Sequence, residues 1–218
     1  MLNPQLWNLL VNALGETLYM VGVSLALSAV FGIPLGVLLV ITGPGHIRPN
    51  RAIHGTLAAL INIGRSLPFI ILLVAIIPFT RLLVGTSIGT NGAIVPLTVS
   101  AIPFLARLVE SALLEVDRGV IEAAQAMGAT TGQIIGKVLL AEAKSGLLLG
   151  LTITAVSLVG YSAMAGAVGG GGLGDLAIRF GYQRFQPEVM LATVIVLVIL
   201  VQGVQSLGDW GARRLKRR

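Results

Sequence analysis

The chain has 218 residues, of which 55% are hydrophobic and 11% charged, with a net charge of +6 and a mean hydropathy of +0.92. A water-soluble domain carries roughly 25% charged residues, so there is too little polar surface here to cover a globule, and the main solvent is lipid. The basic excess lies in short loops and at the C-terminus with no aromatic interleaving, which excludes a nucleic-acid groove. The absence of cysteine excludes disulfides, thiol nucleophiles and thiolate metal sites.

The first 15 residues hold no Lys or Arg, so no secretory leader is expected and the N-terminus is read as part of the mature protein. Asn3-Pro4 is an N-cap followed by proline at the first helical position. Leu6, Leu9, Leu10 and Ala13 then recur at helical spacing beside Trp7. This is either a short amphipathic helix lying in the interface or an early start to the first span.

Five apolar runs follow, near Thr17–Ile41, Leu57–Phe79, Ile88–Val109, Ser145–Ala165 and Val189–Leu207. Each has roughly the 20 residues needed to cross a hydrocarbon core. The predicted fold is an all-α membrane protein of five transmembrane helices in a single domain over residues 1–218. Arg48 and Arg51 lie in the first loop, Arg107, Arg118, Lys137 and Lys144 in or beside the third, and Arg213, Arg214, Lys216, Arg217 and Arg218 form the tail. The opposite face carries Arg81, Arg179 and Arg184. The positive-inside rule therefore predicts an N-out, C-in topology. Gly32 and Gly36 form a small-xxx-small pair in the first span, suited to close helix approach. Pro34, Pro68, Pro78, Pro96 and Pro103 lie in or near spans, where each removes a backbone donor and can kink its helix.

The third loop, residues 110–144, is the longest polar stretch. Asp117 is placed to N-cap a short helix through Ala126 or Met127, and Gly128 is a natural C′ residue because it adopts φ > 0 without penalty. Thr130 and Gln133 then form a Thr-x-x-Gln capping box that starts a second helix leading to the fourth span. The result is a compact elbow whose first helix carries the small residues Ala123, Ala124 and Ala126, over which a partner's backbone could come close.

Glu122-Ala123-Ala124-x-x-x-Gly128, followed by Val138-Leu139-Leu140-Ala141, resembles the EAA signature of bacterial ABC importer permeases, whose pattern ends Ile-x-Leu-Pro. The chain departs from it with Val138 for isoleucine and Ala141 for proline, which leaves the start of the fourth span less sharply set. The resemblance covers nearly the whole chain and extends to methionine-uptake permeases, through Arg65-Ser66-Leu67-Pro68-Phe69-Ile70-Ile71-Leu72-Leu73, Ile77-Pro78-Phe79-Thr80-Arg81 and Val159-Gly160-Tyr161-Ser162-Ala163-Met164-Ala165-Gly166-Ala167-Val168-Gly169. It implies the type I importer permease fold and a multi-pass protein of the bacterial inner membrane. It also implies a homodimer, two copies of a cytoplasmic ABC ATPase that carry the ATP and Mg, and an extracytoplasmic binding protein delivering D- or L-methionine. The segment Glu122, Ala123, Ala124, Ala126, Met127 and Gly128 is then the coupling helix that docks on the ATPase.

Other candidates are weighed by their surroundings. Gly169-x-Gly171-x-x-Gly174 matches a dinucleotide fingerprint in form only, since no strand precedes it. A flexible turn near an outer gate is the better expectation. Gly132-x-x-x-Gly136-Lys137-Val138 fails as a P-loop in both glycine spacing and the Ser or Thr that binds Mg, so the chain is not expected to hydrolyse ATP. Arg65 is an ionisable group in an apolar run. It either snorkels to the interface or serves a pathway. Tyr161, Ser162 and Met164 offer a phenol, a hydroxyl and a thioether to a substrate with an amino-acid head and an apolar tail, or else pack helices. Glu122 faces the partner or caps its own helix. His46 and His54 are expected to be solvated, and no carboxylate pair or histidine cluster supports a catalytic or metal site. A proton-coupled carrier would place acids or histidines within its spans and often shows repeats. The acids Glu16, Glu110 and Glu188 lie near span ends, and no repeat is visible.

Overall fold

Helix is the only regular structure among the described residues, 4–216 of the computed structural model. The Asn3 cap and the charges of Arg217 and Arg218 lie outside them. α1 runs unbroken from Pro4 to Thr42. The N-terminal amphipathic stretch is therefore an early start to the first span rather than a separate interfacial helix. At 1.5 Å per residue α1 is about 58 Å long, well beyond the roughly 30 Å hydrocarbon core.

The second run departs most from expectation. Leu57–Phe79 is not one continuous span but is divided among α2 (Arg51–Ser66), α3 (Phe69–Ala75) and α4 (Ile77–Val84). α2 and α3 meet at a bend of 100°. The physical reason is Pro68: its ring disfavours helical backbone in the residue before it, and Leu67 is extended at φ −83°, ψ 125°. Gly85, at φ 76°, stops α4.

α5 (Gly89–Leu114) carries Pro96 and Pro103 inside a continuous helix. The loop helices are α6 (Arg118–Ala126), α7 (Thr131–Gln133) and α8 (Leu140–Glu142), with a π-helical turn at Ile134–Leu139 between the last two. α9 (Lys144–Gly166), α10 (Gly172–Leu176), a second π-helical turn at Ala177–Tyr182 and α11 (Pro187–Lys216) complete the chain. Among the described residues four helices, α1, α5, α9 and α11, are long and apolar enough to cross a membrane by themselves, and the bent α2–α3 pair passes the same test jointly.

α1 and α5 form the central pair. A Cβ on Gly36 would lie 2.6 Å from the Val109 Cβ, and one on Gly32 would lie 3.1 Å from the Ile102 carbonyl oxygen. The small-xxx-small pair thus presses the two backbones together. Met20, Leu97, Ala101 and Leu158 centre one apolar cluster at this pair. Val40, Leu105, Val109 and Leu113 continue a second cluster into the third loop, where it takes in Ile121, Ala124, Ile134 and Leu139. The loop therefore shares a core with the helices it joins.

Candidate docking loop and pathway residues

α6 is bounded at both ends by local chemistry. The Asp117 carboxylate accepts from the Gly119 N–H at 2.7 Å. At the other end Gly128 sits at φ 78°. Its N–H donates to the Gln125 carbonyl at 2.9 Å, and the Ala129 N–H donates to the Ala124 carbonyl at 3.0 Å. These are the two bonds of a Schellman motif. Thr130 and Gln133 then close a reciprocal capping box, so the turn from one helix to the next is satisfied by its own side chains and backbone.

Ile121 and Ala124 are buried beneath α6. Glu122, Ala123, Ala126 and Gly128 are exposed, and Met127 is 81% exposed. The structure thus corrects one expectation: Ala124 does not face outward but packs into the core shared with Val40, Leu113 and Leu139. A helix resting on a core turns one side inward, and Ile121 and Ala124, three residues apart, are that side. Glu122 is exposed and does not cap α6, since Asp117 does. In the first loop, partial burial and then the nearby Arg118 guanidinium hold the His46 imidazole below its ordinary pKa. His46 is therefore more than a solvated loop residue. His54 is partly buried as well, with Nδ1 3.0 Å from the Leu39 carbonyl.

Behind the elbow, the Leu140 N–H reaches back five residues to the Ile135 carbonyl, the hallmark of a π-turn. The helix then breaks at Ala143 (φ −79°, ψ 1°) before α9 begins. The departure at Ala141 is answered by a corner two residues later. Gly132, Gly136 and Lys137 lie on these helical turns, not in a loop able to cradle a phosphate.

Of the pathway candidates, Tyr161 is partly buried and stacks on Phe69 of α3, with ring centroids 4.8 Å apart and an interplanar angle of 6°. Phe69 was not singled out from sequence, because its nearness to Tyr161 depends on the α2–α3 bend. Met164, one turn on, is 49% exposed. Ser162 is buried and its hydroxyl donates to the Val159 carbonyl of its own helix at 2.8 Å. It points into the core and does not line an open path. Arg65 is exposed in the last turn of α2, without a hydrogen-bonding or ionic partner among the described residues.

At the far end the glycine segment is not a loose loop. The Gly172 N–H donates to the Glu16 carboxylate at 2.6 Å, and the Leu173 N–H to the Thr17 hydroxyl at 2.9 Å. The Gly89 N–H donates to the Gly169 carbonyl at 2.8 Å. A Cβ on Gly174 would collide with the Ala163 backbone. The glycines are used for close packing and for φ > 0 at Gly169, Gly171 and Gly172, which replaces the expected flexibility with a pinned turn. The segment also follows a helix, so the dinucleotide reading fails.

One polar association escaped the sequence reading. On α5, the Arg107 guanidinium pairs with the Glu110 carboxylate three residues on, and its Nη2 donates to Asn62 Oδ1 of α2 at 2.6 Å. Among the described residues no cluster of three or more His, Asp or Glu side chains could hold a metal ion.

The chain as a whole is similar to known proteins. A probable D-methionine transport system permease protein MetI of Vibrio cholerae is 56% identical over 97% of this chain and 94% of its own length. The protein of that description from Pasteurella multocida is 51% identical over the full length of both. A solved structure described as inward-facing conformations of the MetNI methionine ABC transporter matches at a TM-score of 0.96, with 54% identity over 99% of both chains. A structure described as an amino acid ABC transporter with histidines matches at 0.77, with 18% identity over 95% of this chain and 94% of the other, a likeness of fold alone. The chain has the all-helical type I ABC importer permease fold. The model of the binding-protein-dependent transport system inner membrane component family matches residues 17–218, and the chain belongs to that family.

Proposed function

We propose that the chain is the membrane-spanning subunit of an ATP-driven importer that moves methionine, as the D- or L-form, across the bacterial inner membrane. It crosses five times, with the bent α2–α3 pair as one crossing, its N-terminus outside and its C-terminus inside. It works as a homodimer with two copies of a cytoplasmic ABC ATPase, which hold the ATP and Mg, and an extracytoplasmic binding protein supplies the substrate. The substrate rests on relatives described as D-methionine permeases and on the neighbour described as a methionine ABC transporter.

One observation carries the ATPase partner: the self-contained elbow that presents Glu122, Ala123, Ala126, Met127 and Gly128 outward. α6 is fixed from below by Ile121 and Ala124 and at its ends by Asp117 and Gly128. A push on its outer face is therefore passed to α1, α5 and the helix leading to α9. The Phe69–Tyr161 stack, Met164 and Arg65 belong to the substrate path, where a thioether and aromatic faces suit an apolar sulfur-containing tail.

A proton-coupled carrier fits less well. Glu110 is held by Arg107 and Glu16 by the Gly172 N–H, so neither is a free proton relay. The test is purification with native partners. A stable 1:1 complex with an ATPase and ATP-dependent methionine uptake in proteoliposomes are expected. Absence of any ATPase, with uptake following a proton gradient, would refute the reading, and uptake competition among amino acids separates methionine from other substrates.

A further inference from the structure

Building on the importer reading, we propose that Arg107, oriented by Glu110, is a positioning residue that carries movement of the docking helix from α5 to α2. α2 meets α5 at several places, three of which differ in their chemistry. Ile61 packs with Ala106 and Leu39. Gly64 lies against Pro103, where a Cβ would stand 3.0 Å from the ring. Asn62 Oδ1 accepts from Arg107 Nη2 at 2.6 Å. The first two are apolar surfaces over which helices can slide, because dispersion contacts are non-directional. Only the third has a donor and an acceptor that fix the register of one helix on the other.

Position on the chain gives that bond its use. Arg107 precedes Asp117 by ten residues, with α5 running almost the whole way. Displacement of α6 thus reaches Arg107 across the short 115–117 link and the core that Ile121 and Ala124 share with Val109 and Leu113 of α5. On the other side, Asn62 lies one turn before the 100° bend, and α3 beyond that bend begins at Phe69, which stacks on Tyr161. The Asn62–Arg107 bond therefore links the end of the helix that meets the partner to the base of the aromatic stack. Glu110 is 8% exposed and binds Nη1 of the same guanidinium. It holds the planar fork so that Nη2 faces α2. With the guanidinium 30% exposed and the carboxylate 11%, the pair is a weak device for stability alone, because desolvation and solvent screening offset much of the attraction. Its geometry here serves orientation.

The test uses the whole transporter with its ATPase and binding protein in proteoliposomes, reading methionine taken up per ATP hydrolysed. Asn62→Leu removes the acceptor at an exposed position and leaves the Arg107–Glu110 pair and the docking loop intact. Asn62→Asp restores an acceptor for the guanidinium. Losing a hydrogen bond to a charged group shifts a two-position equilibrium by roughly tenfold, and partial exposure reduces this. We expect Asn62→Leu to lower the uptake-to-hydrolysis ratio at least about threefold, with Asn62→Asp near wild type. An unchanged ratio in Asn62→Leu overturns the proposal, and so does an equal fall in both variants, which would mark Asn62 as serving some purpose other than accepting from Arg107. Loss of ATPase binding in Asn62→Leu also overturns it, by placing the residue in docking. Failure of the wild-type chain to assemble with an ATPase would instead refute the importer reading itself.

Discussion

Replacing Gly128 with alanine separates the backbone conformation of the elbow from packing within the chain. Gly128 has φ 78°, and a Cβ built on it meets nothing within 4 Å, so no steric contact within the permease confuses the outcome, and a clash with the ATPase itself would make asparagine worse than alanine. For an L-residue the left-handed region costs about 1–2 kcal/mol. Restricting the unfolded chain returns about 0.4–1 kcal/mol of that. The net loss is about 1 kcal/mol, paid either as strain in the elbow or as loosening of the turn that fixes Met127 and the Schellman bonds. Strain common to the free and docked states cancels, whereas loosening must be reversed on docking; since 1.4 kcal/mol is tenfold in affinity, the permease should bind its ATPase more weakly by up to about fivefold. Asparagine tolerates the left-handed region and should recover much of the loss, while β-branched valine should be worse than alanine. Titration of detergent-solubilised permease with labelled ATPase measures all three. Alanine binding as tightly as glycine, or asparagine binding as poorly as alanine, would refute the assignment of the effect to φ.

Three other outcomes are expected. Gly36→Leu should lower the thermal midpoint in detergent, with a cost of about 1–3 kcal/mol or more, because even its Cβ would lie 2.6 Å from Val109. Gly15→Leu, facing open space, should leave the midpoint nearly unchanged. Burial and Arg118 lower the His46 pKa from its ordinary 6.5, so the unfolded chain binds a proton more readily than the folded one. Stability is then full above that value and lost as pH falls from it through the folded pKa. Thermal midpoints between pH 8 and 5 should decline on the acid side, and His46→Gln should flatten the decline. Arg65→Lys should keep wild-type uptake if the side chain only brings charge to the interface, and lose it if a bidentate contact to a substrate carboxylate is needed. On the pathway reading, uptake falls.

The parts of this fold that were legible in the sequence are those set by neighbours within a few residues. Asp117, Gly128 and the Thr130–Gln133 box each act across one helical turn, and all three stand where local chemistry put them. The long apolar runs of α1, α5, α9 and α11 were equally plain. The bend at Leu67–Pro68 was concealed because hydropathy is blind to direction: an apolar run reads the same straight or folded by 100°. The inward turn of Ala124 was hidden for another reason, since the motif gives residue types but not which side of α6 meets the core. Glu16 with Gly172 and Arg107 with Asn62 are 156 and 45 residues apart, and no local pattern joins them.

That separation of 156 residues between Glu16 and Gly172 sets an order of events during synthesis. At roughly 5–20 residues per second, the Glu16 carboxylate and Thr17 hydroxyl wait about 8–30 s before their partners leave the ribosome. Until then the Glu16 carboxylate, about three turns into α1, has only water or lipid headgroups to satisfy it. The glycine turn therefore cannot be completed until the fourth long apolar stretch is inserted, and a chain truncated before Gly172 should expose the start of α1 to protease.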